Sequence, residues 1–489
     1  MKTNALGKYR PYLHFAPQKN WMNDPNGLIF FEGEYHLFYQ YHPNSSVWGP
    51  MHWGHAVSKD LIDWEELDIA LYPDEHGMIF SGSAVVDWEN TTGFFPNVPG
   101  LVAIFTYHLN GEAEEEITQT QGIAYSNDRG RTWVKYEGNP VIASESKVDF
   151  RDPKVFWNKE AKNWMMVLAT GQTISFYSSP NLIDWKFESE FGEGIGLHTG
   201  VWECPDLFQL QVTDMNEKKW VLLVSVGDNP EFETGSQTQY FVGEFDGRTF
   251  KPDHDTIHLL DFGKDNYAGV SFSDIPQIDG RRIYLGWMSN WRYANEVPTN
   301  GWRSQMTLPR ELSLQKIGRE YYVNQLPVKE IESYFSIDSA IDSEVSYENG
   351  TRTYPVGNPF VDCSINIERV NAQQFEVTVN HSKDESTKIA IDYNTSVVRL
   401  VRKDSGVIDF SSNFIDDQLV KVGNINELNL RIIIDSSSIE LFINEGQYAL
   451  TSLVYPDHAC ESISFSSIDG SVVLRDGYIA KPSEDHLNE

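Results

Sequence analysis

Residues 23–41 (NDPNGLIFFEGEYHLFYQY), 151–170 (RDPKVFWNKEAKNWMMVLAT) and 203–225 (ECPDLFQLQVTDMNEKKWVLLVS) repeat one grammar. A carboxylate comes first, at Asp24, Asp152 and Glu203, with a proline close behind. A short apolar strand follows, then a polar turn, then a second strand opening with Tyr35, Trp164 or Trp220. A shorter repeat runs through residues 58–67 (SKDLIDWEEL), 126–136 (SNDRGRTWVKY) and 178–188 (SSPNLIDWKFE). Each has a serine, a polar turn and then Trp64, Trp133 or Trp185, and reads as the same hairpin in successive units. Sheet units repeating along a chain predict a β-propeller, in which four-stranded blades surround a central channel. The first strand of each blade lines that channel, so three acids at the same point of three blades converge at one mouth of the axis.

The rest of the chain agrees with an all-β fold. Short apolar or aromatic runs such as LVAIFTYHL, WMMVLAT and WVLLVSV are broken by Gly, Asn, Asp and Pro, and long 3.6-residue periodicity is scarce. Near residue 320 the motif-like Trp and Pro runs give way to plain alternation, as in FVDCSINIERV, QFEVTVN and LNLRIIIDSSSIELFIN. Apolar residues at alternate positions indicate sheets with one buried face, here a β-sandwich. The predicted organisation is a propeller over residues 1–320, a linker over 321–335 and a C-terminal β-sandwich over 336–489. A length of 489 residues fits two domains.

The 71 acidic against 38 basic residues give a formal charge of −33, which repels nucleic acid and anionic membranes and leaves a neutral ligand indifferent. Cys204, Cys363 and Cys460 are widely spaced and match neither a disulfide framework nor a Cys/His zinc pattern. The start, MKTNALGKYRPYLHF, has no apolar leader-type segment, so the chain as written reads as cytoplasmic; a secreted form stripped of its leader would read the same. No run of about 18 apolar residues offers a membrane span.

Taken singly, the acids look structural. NDPNG is a good turn, with Pro25 fixing φ and Gly27 free to take φ > 0, and RDPK reads as a turn with an ion pair. Taken together, three carboxylates at one channel mouth repel, and at least one has a raised pKa. Glycoside hydrolysis uses such a split: an ionised carboxylate attacks or stabilises the anomeric carbon while a protonated one delivers a proton to the leaving oxygen. A metal site is the alternative use of three acids, and Arg151 beside Asp152 argues against it.

At this point WMNDPNG, FSGS (80–83), FRDPK and WECPDLF resemble, in order and spacing, the motifs of glycoside hydrolase family 32, the β-fructosidases. YHLFYQYHP, WGPMHWGHAVSKDL and LGWMSNWRYANEVPT look most like those of bacterial levanases and fructan β-fructosidases. The resemblance implies a five-bladed propeller followed by a β-sandwich. It implies a retaining exo-β-fructosidase acting on sucrose, fructo-oligosaccharides, inulin or levan without metal or other cofactor. Asp24 would be the nucleophile, Glu203 the general acid and then base, and Asp152 the stabiliser of the transition state. Trp21, Met22, Asn23, Gln40, Trp48, Phe80, Ser81, Arg151 and Trp291 would surround the terminal fructose. A sandwich packed over a neighbour's active-site mouth would make a homo-oligomer with a longer substrate groove.

Three further expectations concern neighbours of these motifs. Cys204 follows Glu203, and strand alternation would turn it to the opposite face as a packed thiol. His52 and His55 fit no common zinc spacing well. The SSSIELFIN segment reads as an interdomain packing surface, with a second sugar site as the alternative. Rival readings of the whole are fructosyl transfer through the same intermediate, a family-43-type arabinan or xylan hydrolase, and a non-catalytic sugar-binding propeller.

Overall fold

The computed structural model describes residues 7–96, 99–111, 117–144, 149–232, 235–341 and 345–487. Strands dominate, and no helix among the described residues is long and apolar enough to cross a membrane. Residues 20–327 build five mainly antiparallel sheets of four or five strands, and residues 335–482 build two more of seven and six strands.

The first strands of the five sheets are Asn20–Phe31, Met78–Asp87, Arg151–Asn158, Trp202–Gln211 and Tyr267–Ser271. Each lies against the next, and the fifth lies against the first. The first sheet takes its last strand from far along the chain, since Trp302–Arg303 pairs in parallel with Asn20 and Trp21. The Ser–turn–Trp repeats join the third and fourth strands of three sheets. All three use one set of bonds. A serine hydroxyl accepts a turn N–H, from Leu61, Gly130 or Asn181, and the indole N–H donates to a turn carbonyl. Trp64, Trp133 and Trp185 reach Leu61, Gly130 and Leu182 at 2.9, 3.0 and 2.8 Å.

NDPNG is not a turn. Residues 20–31 form one strand with two irregularities, between Met22 and Pro25 and between Asn26 and Ile29. Pro25 and Gly27, which has φ +53°, bend the strand and do not reverse it. The reversal comes at Glu32 and Gly33, both left-handed, as a tight hairpin requires. Residues 321–327, assigned to the linker from sequence, pair as the edge strand of the fifth sheet (Glu320–Pro327). The connection itself is a short 3₁₀ segment, Lys329–Tyr334.

The two C-terminal sheets enclose one core, with Val361, Cys363 and Ile365 of one facing Val377, Val379 and Ile389 of the other. The IELFIN stretch does pack between domains. Glu440 is fully buried; it pairs with Arg310 at 2.6 Å and with His14 at 2.8 Å, and accepts the Leu308 N–H. His14 also meets Asp435 at 2.7 Å, and Arg402 meets Asp265 at 2.6 Å. Buried pairs of this kind set register more than net stability, yet removing one partner strands the other charge and costs about 3–5 kcal/mol.

This network has a pH signature. Burial lowers the pKa of His14, but Asp435 and Glu440 raise it overall to about 9 from an ordinary 6.5. Burial raises Glu440, but Arg310 and His14 pull it down to about 2 from 4.5. A raised histidine contributes stability that is complete below pH 6.5 and lost as pH climbs through about 9. A depressed glutamate contributes above pH 4.5 and loses its contribution as pH falls towards 2. Melting temperatures followed against pH are expected to plateau between those limits and to decline towards pH 9. On the alkaline side the histidine accounts for something on the order of 3 kcal/mol. A His14→Phe variant that still declines to the same extent would refute this assignment.

Candidate active site

The five innermost strands share a defect at one level. Their pairing with the second strand slips between Met22 and Pro25, Ile79 and Gly82, Arg151 and Lys154, Glu203 and Asp206, and Tyr267 and Val270. A bulge breaks the two-residue alternation and re-aims side chains. Asp152, Cys204 and Ala268 sit there with φ of +62°, +45° and +55°. These are costly values for residues with a Cβ, and such strain concentrates at functional sites.

The bulges bring the acids together. Asp24 accepts hydrogen bonds from the Ser81 hydroxyl at 2.7 Å and from the Asn23 amide at 2.9 Å. Asp152 is buried and accepts the Cys204 N–H at 3.0 Å, while its own N–H donates to Thr106. The Glu203 carboxylate faces the Arg151 guanidinium at 3.0 Å and accepts a hydrogen bond from the Tyr267 hydroxyl. Arg151 also pairs with Asp149, and lies 4.0 Å from Asp152.

Cys204 corrects the reading from alternation. Its left-handed backbone turns the thiol to the same side as Glu203, where Sγ lies 3.4 Å from Asp24 and 3.6 Å from Asp152. The thiol therefore joins two acids that come from different sheets. Burial, then the three carboxylates, push its pKa well above the usual range, so it stays a protonated donor.

Arg151 is one cation among four acids, counting Asp149. Burial and the charge of Glu203 raise the pKa of Asp24, against the hydrogen bonds from Ser81, Asn23 and Cys204. Burial raises that of Asp152; Arg151 opposes this, and Glu203 and Asp24 add to it. Tyr267, buried beside Glu203, is raised well above 10 and stays a donor. Asp24 and Asp152 thus resist ionisation more than isolated carboxylates do.

The other sequence-selected residues fall into three positions. Asn23, Ser81 and Arg151 belong to the hydrogen-bonded cluster itself. Trp48, Phe80 and Trp291 retain accessible surface. Trp48 is 40% exposed and meets Phe80 edge-on at 6.4 Å, and Phe80 stacks on His108 at 4.2 Å. Trp291 stacks on Trp21 at 6.0 Å. Trp21 and Met22, selected as substrate contacts, have no accessible surface and belong to the core of the first sheet. Trp21 acts from there, donating its indole N–H to Asn23 at 2.7 Å. Trp287 is likewise a core residue. Gln40 is buried and bonded to Asn26 at 2.7 Å, outside the acid cluster. His52 and His55 are not a pair: His52 faces the Pro50 carbonyl, and His55 stacks on Phe38 and His36.

Sequence reasoning passed over Tyr267, Asp149 and Thr106. Tyr267 opens the fifth innermost strand, but no acid–proline signal marks that strand.

Comparison with known proteins agrees on family. Residues 14–327 match the glycosyl hydrolases family 32 N-terminal domain, and residues 330–479 match the family 32 C-terminal domain. The chain is 46% identical over 482 residues to a levanase of Bacillus subtilis (strain 168), covering 96% of this chain and 69% of that one. The crystal structure of exo-inulinase from Aspergillus awamori superposes with a TM-score of 0.89 at 34% identity, over 97% of this chain and 98% of that one. The fructofuranosidase from Schwanniomyces occidentalis complexed with fructose gives 0.89 at 33% identity, over 98% and 99%. The chain, a glycoside hydrolase, belongs to glycosyl hydrolase family 32.

Proposed function

We propose that the protein is a retaining exo-β-fructosidase that releases fructose from the non-reducing ends of sucrose, fructo-oligosaccharides, inulin or levan. The observation that carries this reading is the convergence of Asp24, Asp152 and Glu203, with the first two hydrogen-bonded to one thiol and the third to one arginine and one tyrosine. The names of the relatives, levanase, exo-inulinase and invertase, support a fructosidic substrate. The closed ring of innermost strands supports a five-bladed propeller, with the sandwich as a second domain beyond the short 3₁₀ connection.

In this mechanism the Asp24 carboxylate attacks the anomeric carbon of the terminal fructosyl unit. The glycosidic C–O bond breaks as Glu203 gives its proton to the departing oxygen. A water molecule then attacks the fructosyl–Asp24 ester, Glu203 takes its proton, and the anomeric configuration is retained. Asp152, held by the Cys204 N–H, accepts from sugar hydroxyls and faces the positive charge that develops on the ring. Hydrogen bonds from Ser81, Asn23 and Cys204 favour the charged form of Asp24 against burial and orient it.

Product analysis over time on sucrose, inulin and levan tests the assignment. Fructose as the only small sugar from inulin and levan, and equimolar fructose and glucose from sucrose, are expected from the first minutes; early oligosaccharides mean endo-cleavage or transfer. Asp152→Asn is expected to lower kcat by about 10²–10³-fold with an unchanged circular dichroism spectrum. A variant that simply melts would make Asp152 a structural residue.

A further inference from the structure

One cross-strand row of the first sheet leads away from the acids. Met22, two residues before Asp24, pairs with Tyr41; Tyr41 pairs with His52; and His52 meets the Tyr72 ring edge-on at 5.5 Å. Tyr72 follows the outermost strand, Trp64–Leu71, and is 54% exposed. Beside it lies an open groove of about 570 Å³ lined by Tyr41, Pro43 and Tyr72 together with Gln18, Lys19 and Asp68. It opens at the end of the sheet that carries Asp24. Tyr41 lines it from the second strand, while Tyr72 stands three strand spacings, roughly 15 Å, from the innermost strand.

The lining defines a class of ligand. An exposed aromatic ring and a proline offer flat apolar faces. An amide, an ammonium and the carboxylates of Asp68 and Glu66 stand beside them; Glu66 already accepts the Tyr39 hydroxyl and the Gln18 N–H. An anionic ligand would meet the extra carboxylate. A neutral, polyhydroxylated chain satisfies donors and acceptors alike and stacks its C–H faces on the ring. Trp48, 40% exposed in the loop between the second and third strands of this sheet, supplies a further aromatic face at the same end.

We propose that this groove is a second carbohydrate site, which holds a fructan chain at a distance from the acids while its end is cleaved. The proposal rests on the β-fructosidase reading for the identity of the sugar. Sucrose, with two rings, is too short to occupy both places, so the groove acts on polymers alone.

Kinetics and binding of Tyr72→Ala test it. kcat/KM for sucrose is expected to stay within about twofold, while KM for levan or inulin rises by up to about tenfold, the worth of one aromatic contact. Retardation in native gels containing levan or inulin is expected to vanish in an Asp24→Asn, Tyr72→Ala double variant and to persist in Asp24→Asn. Tyr72→Phe, which keeps the ring, should restore both. Equal changes on sucrose and polymer, no change on either, or intact retardation without the ring would each overturn the proposal. If Tyr72→Ala folds poorly, Gln18→Ala with Asp68→Ala, both on exposed residues, reads the same split. If the wild-type protein cleaves no fructoside, the functional reading fails, and retardation by levan still decides whether the groove binds it.

Discussion

Asp24→Asn is expected to lower kcat/KM on sucrose by about 10⁴-fold or more, because the variant lacks the carboxylate that forms the bond to the anomeric carbon in the proposed mechanism. The same change is expected to leave the protein at least as stable. Burial and Glu203 disfavour the Asp24 charge, as its raised pKa records, so at neutral pH that charge opposes folding. The asparagine amide keeps an oxygen for the Ser81 hydroxyl and removes the repulsion. Loss of activity with an equal or higher melting temperature separates a functional acid from a structural one. Turnover near the wild-type rate would refute the nucleophile assignment.

Glu203→Ala is the second large effect, and its mark is dependence on the leaving group. On sucrose kcat should fall by about 10²–10⁴-fold, the usual contribution of general acid catalysis. On an aryl β-fructoside, whose leaving oxygen needs little protonation, formation of the intermediate should be much less impaired. The variant then accumulates a covalent fructosyl-enzyme, visible as added mass on the intact protein, since Glu203 is also missing as the base for water. Equal losses on both substrates would mean that Glu203 positions Arg151 and Tyr267 and does not transfer the proton.

Much of the site was readable because its signals are local. The acid–proline–strand grammar repeats within about twenty residues, and the all-β reading with its change of texture near residue 320 needs only periodicity. The bulges were not readable. Alternation predicts that Cys204 faces away from Glu203, and a left-handed residue reverses that prediction without leaving a glycine in the sequence. Trp21 and Met22 are buried in the core, although their motif lies beside Asp24. Tyr267 comes from the one innermost strand that opens on a tyrosine and carries no acid or proline motif, so nothing in its neighbourhood announces it. The interdomain charges are long-range by nature. His14, Arg310 and Glu440 each look like ordinary surface residues until the fold brings them together.

That interdomain network also sets an order of events during synthesis. His14 must wait for Asp435, which the ribosome delivers 421 residues later. The first sheet likewise waits for Trp302 and Arg303 before its parallel edge can form. At about 5–20 residues per second, the emerging chain spends on the order of 20–80 s with its amino-terminal segment undocked. During that interval Leu13 and Phe15, buried in the finished protein, have no partners from the second domain. Leu13 and Phe15 are thus exposed to chaperones and to aggregation during that interval, and slower translation would lengthen their exposure.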